Sequence, residues 1–213
     1  GSFHAWGRNQ YGQLGDGTTT ARTSPTQLLG SGVSAAAAGQ YHSLFLKTNG
    51  SLHSMGWNQY GQLGDGSTTD RNSSVQLEAS GVSTIAAGIF SSYYLMSSGV
   101  LKAVGRNNYG QLGDGTTTDR TTSVILGDSN LSKITSGQYH AAILAGDKSL
   151  RSWGRNNYGE LGDGTTTDRT ASVEVISANA MQPKTLTVTV VANSASAAVT
   201  ASGANRATFA EML

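Results

Sequence analysis

Two histidines follow the same short signature, Gly39-Gln40-Tyr41-His42 and Gly137-Gln138-Tyr139-His140. A histidine held next to a glycine turn suits proton transfer or metal ligation, but it does either only beside a convergent acid, nucleophile or further ligand. Neither histidine has such a companion nearby in the sequence, so both read as hydrogen-bonded structural residues. His4 and His53 share a second register with Lys102 and Arg151. A position that accepts any polar side chain reads as surface. The segment Asp114 to Asp119 (DGTTTD) and its copies alternate oxygen-bearing side chains as calcium loops do, yet the bidentate glutamate of such loops is missing. Glycine-rich stretches lack both Gly-Lys-Ser/Thr and Gly-x-Gly-x-x-Gly, so no phosphate cradle is written here. Serines and threonines abound without a histidine-acid pair. No catalytic, cofactor-binding or metal-binding residue emerges, and the chain reads as a non-enzyme without a cofactor.

Composition narrows the partners. Charged residues make up 13% of the 213, with 14 Lys and Arg against 13 Asp and Glu, which steers the chain toward neither nucleic acid nor an anionic membrane. No apolar run approaches the roughly 18 residues needed to span a bilayer. There is no cysteine, hence no disulfide and no thiol chemistry. Asn49, Asn72 and Asn130 each open an Asn-x-Ser sequon, which matters only in a glycosylating host.

The elements that would position any site repeat. Gly17, Gly66, Gly115 and Gly164 are spaced by 49 residues, as are Gly7, Gly56, Gly105 and Gly154, and Gly39, Gly88 and Gly137. A constant period of this size marks a supersecondary unit that hides its apolar face only by stacking on copies of itself. Within one unit, His42 to Lys47 (HSLFLK) and Ser51 to Gly56 (SLHSMG) alternate around Asn49-Gly50, a hairpin turn signal. Val33 to Gly39 supplies a small-residue strand before the hairpin, and Ser73 to Glu78 another after a long loop. Four short strands per unit and no helical spacing predict an all-β, propeller-like array of four-stranded blades. In the long loop, exemplified by Asn107 to Gly115 with Arg120, glycines take the turns, Tyr109 and Leu112 are expected to tuck inward, and Asp114 can pair with Arg120.

These residues, WGRNNYGELGDGTTTDR at 153–169 with elements such as Gly137-Gln138-Tyr139-His140, resemble the repeat of the regulator-of-chromosome-condensation family in its bacterial form. The resemblance covers residues 1–179. It implies blades of a seven-bladed propeller, and family roles that include exchange factor for a small GTPase, chromatin binder, β-lactamase inhibitor and interaction platform. Fold transfers better than function. Ser91 stands where His42 and His140 stand, and Met55 and Val104 replace Trp6 and Trp153, substitutions that keep bulk and so point to packing.

By this register, residues 1–179 hold a half blade, three full repeats and a second half blade, too little for a seven-bladed ring. The array is thus incomplete at both ends. Residues 180–213 form a C-terminal β-strand and a Ser/Ala-rich tail. Lys184 to Val191 alternates cleanly, with Leu186, Val188 and Val190 on one side, and reads as an assembly strand for a sheet edge in the same or another chain.

Differences between copies point to a contact surface. Trp57 replaces the arginine of Arg8, Arg106 and Arg155, and Phe90, Tyr93 and Tyr94 with Ile89 make the second unit the most apolar. The expected function is a non-catalytic interaction module for a protein partner, at a cell surface or outside the cell. The alternatives are a self-assembling subunit, a homo-oligomer or filament built by strand exchange, and a regulator that docks on a partner enzyme, inhibitor-like or as an exchange factor.

Overall fold

The computed structural model describes residues 1–127, 130–177, 189–190 and 199–200. Its strands follow the repeat. β1 (Phe3–Gly7) and β2 (Arg22–Leu29) form an antiparallel pair. β3 (Val33–Ala38), β4 (His42–Lys47), β5 (Leu52–Gly56) and β6 (Arg71–Glu78) build a four-stranded antiparallel sheet in chain order. The same order recurs in β7 (Val82–Ala87), β8 (Ser91–Met96), β9 (Leu101–Gly105) and β10 (Arg120–Ile125). A third sheet comprises β11 (Leu131–Ser136), β12 (His140–Ala145), β13 (Leu150–Gly154) and β14 (Arg169–Ile176). The described residues thus hold two strands of one blade and three complete blades. The trailing half unit of the sequence register is β14, which pairs with β13 and closes the third sheet. The long glycine-rich loop lies inside each blade, between its third and fourth strands, as the four-strand unit implies, so the strand after the last loop completes the third blade and no second half blade follows it among the described residues.

Each blade places its first strand innermost, alanine-rich in β3 and ending in Ala86-Ala87 in β7, where β3 packs on β7 and β7 on β11. Small side chains let these strands converge while the fourth strands fan outward. A Cβ on Gly39 would sit 2.6 Å from the Gly88 carbonyl oxygen of the next blade. The core lies between blades. Phe45 and Met55 pack with Phe3 and Leu29; Leu44, Leu46 and Leu52 pack with Val82 and Tyr94; Tyr93, Leu101 and Leu112 pack with Ile143 and Trp153. A middle strand is therefore buried on both faces, as all five residues of β5 are.

Polar links pin neighbouring blades in register. The long loop of each blade reaches the fourth strand of the next: the Gly17 amide donates to the Asn72 carbonyl at 2.9 Å, Gly66 to Thr121 at 3.0 Å and Gly115 to Thr170 at 2.8 Å. Carbonyls of the same loops accept from the following blade, Gln13 from the Ser43 hydroxyl and Gln62 from that of Ser92, both at 2.8 Å. In the third copy Ala141 has no hydroxyl. The Gln111 carbonyl instead accepts from the Trp153 indole at 2.8 Å and from the Tyr93 hydroxyl at 2.6 Å.

His42 belongs to these links. It is buried, its Nε2 lies 3.0 Å from the Ser92 hydroxyl, and a Cβ on Gly39 would come within 2.3 Å of its ring. Burial lowers its pKa from 6.5 to about 4, against a backbone hydrogen bond with Ser91 that raises it. His53, expected at the surface, is also buried, stacked on Phe45 at 4.8 Å with the rings nearly parallel, while His4 is exposed. The register 4/53 faces solvent only where no preceding blade covers it.

Gly61 and Gly115 have the same left-handed backbone (φ 79° and 81°), but a Cβ on Gly61 would lie 2.5 Å from Thr121 Cα, whereas one on Gly115 meets nothing. Gly115→Ala should cost about 1 kcal/mol, the strain of the conformation alone, and Gly61→Ala at least twice that, read as urea unfolding midpoints. For His42, the unfolded chain takes up a proton near pH 6.5 and the folded chain only near pH 4. More protons bind the unfolded state within that window, so stability falls as the pH drops through it, by on the order of 1–3 kcal/mol. His42→Gln should flatten urea midpoints between pH 7 and pH 4.5 relative to the unaltered chain.

Candidate interaction face

In an antiparallel blade the ends of the first and third strands point the same way. The short β3–β4 turn and the long β5–β6 loop therefore share one end of the molecule. The long loop is organised around a buried asparagine at its start. Asn58 is fully buried; its amide nitrogen contacts Asp65 Oδ1, the Ser67 carbonyl and the Thr69 carbonyl, each at 3.1 Å, and its carbonyl oxygen accepts from the Leu63 amide at 2.9 Å. Asn9 and Asn156 repeat that set and Asn107 most of it. An amide nitrogen thus sits among the oxygens that a cation would need.

The aspartate of each loop is engaged on both oxygens. Asp65 Oδ1 accepts from the Ser67 amide and hydroxyl, and Oδ2 from Arg71 Nε at 2.8 Å. Arg22 with Asp16, Arg120 with Asp114 and Arg169 with Asp163 make the same ion pair. Burial raises the pKa of Asp16, but the hydrogen bonds from Thr18 and Arg22 outweigh it and bring the value down from 3.8 to about 2. Asp65, Asp114 and Asp163 are lowered by the same contacts.

The leucines of these loops, Leu14, Leu63, Leu112 and Leu161, point into the core as expected. The tyrosines do not. Tyr11, Tyr60 and Tyr109 are half-buried, and Tyr158, with no described blade beyond it, is 85% exposed. They join Tyr41, Phe90 and Tyr139 of the short turns in a ladder of rings and arginines across the loop end. The Arg106 guanidinium lies 4.6 Å from the Tyr60 ring centre, 5.5 Å from Phe90 and 5.9 Å from Tyr139. Arg155 lies 5.4 Å from Tyr109 and 5.8 Å from Tyr139, and Arg8 lies 5.2 Å from Tyr41. At the one rung without an arginine, Trp57 takes the same place. It packs edge-on against Phe90 at 4.9 Å, Tyr60 at 5.4 Å and Tyr41 at 5.8 Å, with Tyr11 at 6.0 Å. Every ring in this five-membered cluster remains half-buried. Aromatic side chains that keep part of their surface at a loop end offer large contact area at little conformational cost.

Of the residues singled out by sequence, Trp57 and Phe90 meet on this face. Tyr93 and Tyr94 do not. Both are fully buried on the central strand β8; Tyr93 packs on Trp153 between blades, and the Tyr94 hydroxyl contacts Glu78 and Ser123. Burial raises both hydroxyl pKa values. The reason is the stacking itself: a strand covered on both faces hides alternate residues equally, so an apolar run there is core. Leu186 and Val188 of the expected assembly strand lie outside the described residues. Val190 lies in β15 (Thr189–Val190), which pairs with β16 (Val199–Thr200) of the same chain through Val199. Sequence reading missed Arg106, Tyr60, Tyr41 and Tyr139. Their signal was present in the registers 8/57/106/155, 11/60/109/158 and 41/90/139, which repeat an arginine, replaced once by Trp57, and aromatic residues throughout. Among the described residues no group of three His, Cys, Asp or Glu converges on a metal-binding arrangement, and no helix is long and apolar enough to cross a membrane.

Models of the regulator of chromosome condensation (RCC1) repeat match residues 1–46, 49–95 and 131–160. The chain belongs to the RCC1 repeat family. Comparison with curated proteins finds no match. Among solved structures, the chain is similar to human WBSCR16, at 26% identity and a TM-score of 0.69 over 80% of this chain and 46% of that one. It is also similar to yeast RCC1 (Prp20) in complex with Kap60, at 23% identity and 0.73 over 83% and 45%. Prp20p of Saccharomyces cerevisiae, described with its binding to Gsp1p and histones, matches at 24% and 0.70 over 83% and 47%. The chain spans about half the length of each of these structures. The RCC1 propeller is the fold they share.

The buried asparagine should dominate the stability of this face. Asn107→Ala leaves the Leu112 amide and one Asp114 contact without partners, and should lower stability by about 2–3 kcal/mol. Asn108→Ala, one residue along and exposed, should change the urea midpoint by no more than a few tenths of a kcal/mol.

Proposed function

We propose that this RCC1-repeat chain is a non-catalytic protein-interaction module whose contact face is the aromatic loop end centred on Trp57 and Phe90. The observation that carries the reading is the five-ring cluster of Tyr11, Tyr41, Trp57, Tyr60 and Phe90, drawn from three successive units and half-buried throughout. Each ring is held by its own turn or loop, so the surface is pre-shaped and binding orders little. The yeast relatives support a protein ligand: Prp20 is described in complex with Kap60, and Prp20p with Gsp1p and histones. At those identities the likeness speaks for the architecture, and the partner of this chain is its own. The low charge and the abundance of Gly, Ser, Thr and Asn favour a cell-surface or extracellular setting for the module.

Regulation of an enzyme by docking is compatible with the same face. Strand donation between chains has less support, since the described part of the tail strand, β15, finds its partner in β16 of the same chain.

Trp57→Ala and Phe90→Ala test the reading. With the chain immobilised, each substitution should weaken retention of a captured partner protein at least about tenfold, as aromatic anchors do. The far-UV circular dichroism should stay unchanged, because neither ring is part of an interblade core. Equal retention by both variants and the unaltered chain would remove the proposed face.

A further inference from the structure

Arg106 and Arg155 differ from the other arginines of the loops, each lying over three ring faces, and of the two only Arg106 adjoins Trp57. Arg22, Arg71, Arg120 and Arg169 are each committed to an aspartate, and Arg8 donates twice to Gln10 Oε1. Arg106 is half-buried and lies over three rings, Tyr60, Phe90 and Tyr139. No hydrogen bond from its guanidinium to a protein acceptor is formed among the described residues. A guanidinium fixed in this way by ring faces keeps its planar fork of donors, and that fork matches a carboxylate in bidentate geometry. It is also only partly hydrated, so a carboxylate that meets it replaces weak solvation with a charge-assisted pair.

The neighbouring acids do not fill that role. Asp65 has both oxygens bound within its own loop, and Asp114 likewise. Asp70 and Asp119 accept from the amides of Asn58 and Asn107, inside the loops. The carboxylates of this end are thus tied into the loops, while the Arg106 fork and the Trp57 ring share Phe90 and Tyr60 as common neighbours. A cationic fork and an apolar plate stand side by side.

We infer that this face recognises an acidic linear segment of a partner protein, with an Asp or Glu side chain on Arg106 and an adjacent apolar or aromatic side chain on Trp57 and Phe90. The inference rests on the proposed interaction face and adds the chemistry of its occupant. Trp57 is what makes the site single. Elsewhere in the ladder its position is an arginine, so among the described residues Arg106 is the fork that stands beside an indole at that position.

Fluorescence anisotropy with fluorescein-labelled twelve-residue peptides tests it. The probe carries a central Phe flanked by Glu on both sides; its companions replace Glu by Gln, Glu by Lys, or Phe by Ala. The Glu-Phe peptide should bind at least tenfold tighter than the Gln, Lys and Ala peptides, and its binding should weaken with salt. Arg106→Gln should remove most of the preference for Glu over Gln and leave the Gln peptide where it was, which a merely structural arginine would not do. Arg106→Lys, keeping charge without the fork, should fall between. Trp57→Arg, the residue that other units carry at this position, should weaken the peptides that contain Phe and keep the fold.

If the Lys peptide binds as tightly as the Glu peptide, if Arg106→Gln weakens all peptides equally, or if no peptide binds, the acidic occupant is wrong. The interaction face would still stand as long as Trp57→Ala releases the captured partner protein. If Trp57→Ala alters neither peptide binding nor capture, both readings fall together.

Discussion

One amide group stands at the centre of each unit. The asparagine that opens the long loop is fully buried in all four copies, and its two ends gather the aspartate, one or two threonine or serine carbonyls and the leucine amide of the excursion between the third and fourth strands. A buried amide of this kind is tolerable only when nearly all its bonds are made, and once made they leave the loop a single conformation. That conformation is what aims the Gly17, Gly66 and Gly115 amides at the fourth strand of the next blade. Without it, the sheets would retain only greasy faces to stack on, and greasy faces alone do not choose a register. The asparagine therefore couples local loop geometry to the spacing of whole blades.

The same coupling explains what the residues declare openly and what they hide. The period, the hairpins and the all-β class were legible because turn chemistry and alternation recur at constant spacing. The Asp-Arg pair was legible because both residues recur with one gap. The number of blades was not: the strand after the last long loop, β14, is the fourth strand of the third sheet and not part of a further half blade. Tyr93 and Tyr94 were misread too. Alternation separates core from surface only for a sheet with one wet face, and the middle strands of these blades have none. His53 repeats the lesson: its register looks tolerant because Lys102 and Arg151 share it, yet in the first full blade it stacks on Phe45.

The ladder of rings and arginines was written in the sequence but spread over three registers that meet only in space. Residues 46 positions apart, such as Tyr60 and Arg106, touch because one blade's long loop lies against the start of the next blade's long loop. Read within one unit, the tyrosine is an anchor and the arginine a solvated charge. Read across units, they form a stack.

Substitutions between copies are then informative in proportion to what compensates them. Where Ala141 drops a hydroxyl, the Trp153 indole restores the bond to the Gln111 carbonyl, so that pair of changes preserves the interface and calls for no functional explanation. Where Trp57 replaces an arginine, the rings that would have held a cation hold another ring, which touches Tyr11 and Phe90 of the flanking units outside the interblade core clusters. The exchange instead widens an apolar surface at the one end where loops from three units converge. A change that leaves its rings half-exposed, placed beside an arginine whose donors have no protein acceptor among the described residues, is the physical signature of a surface shaped for something outside the chain.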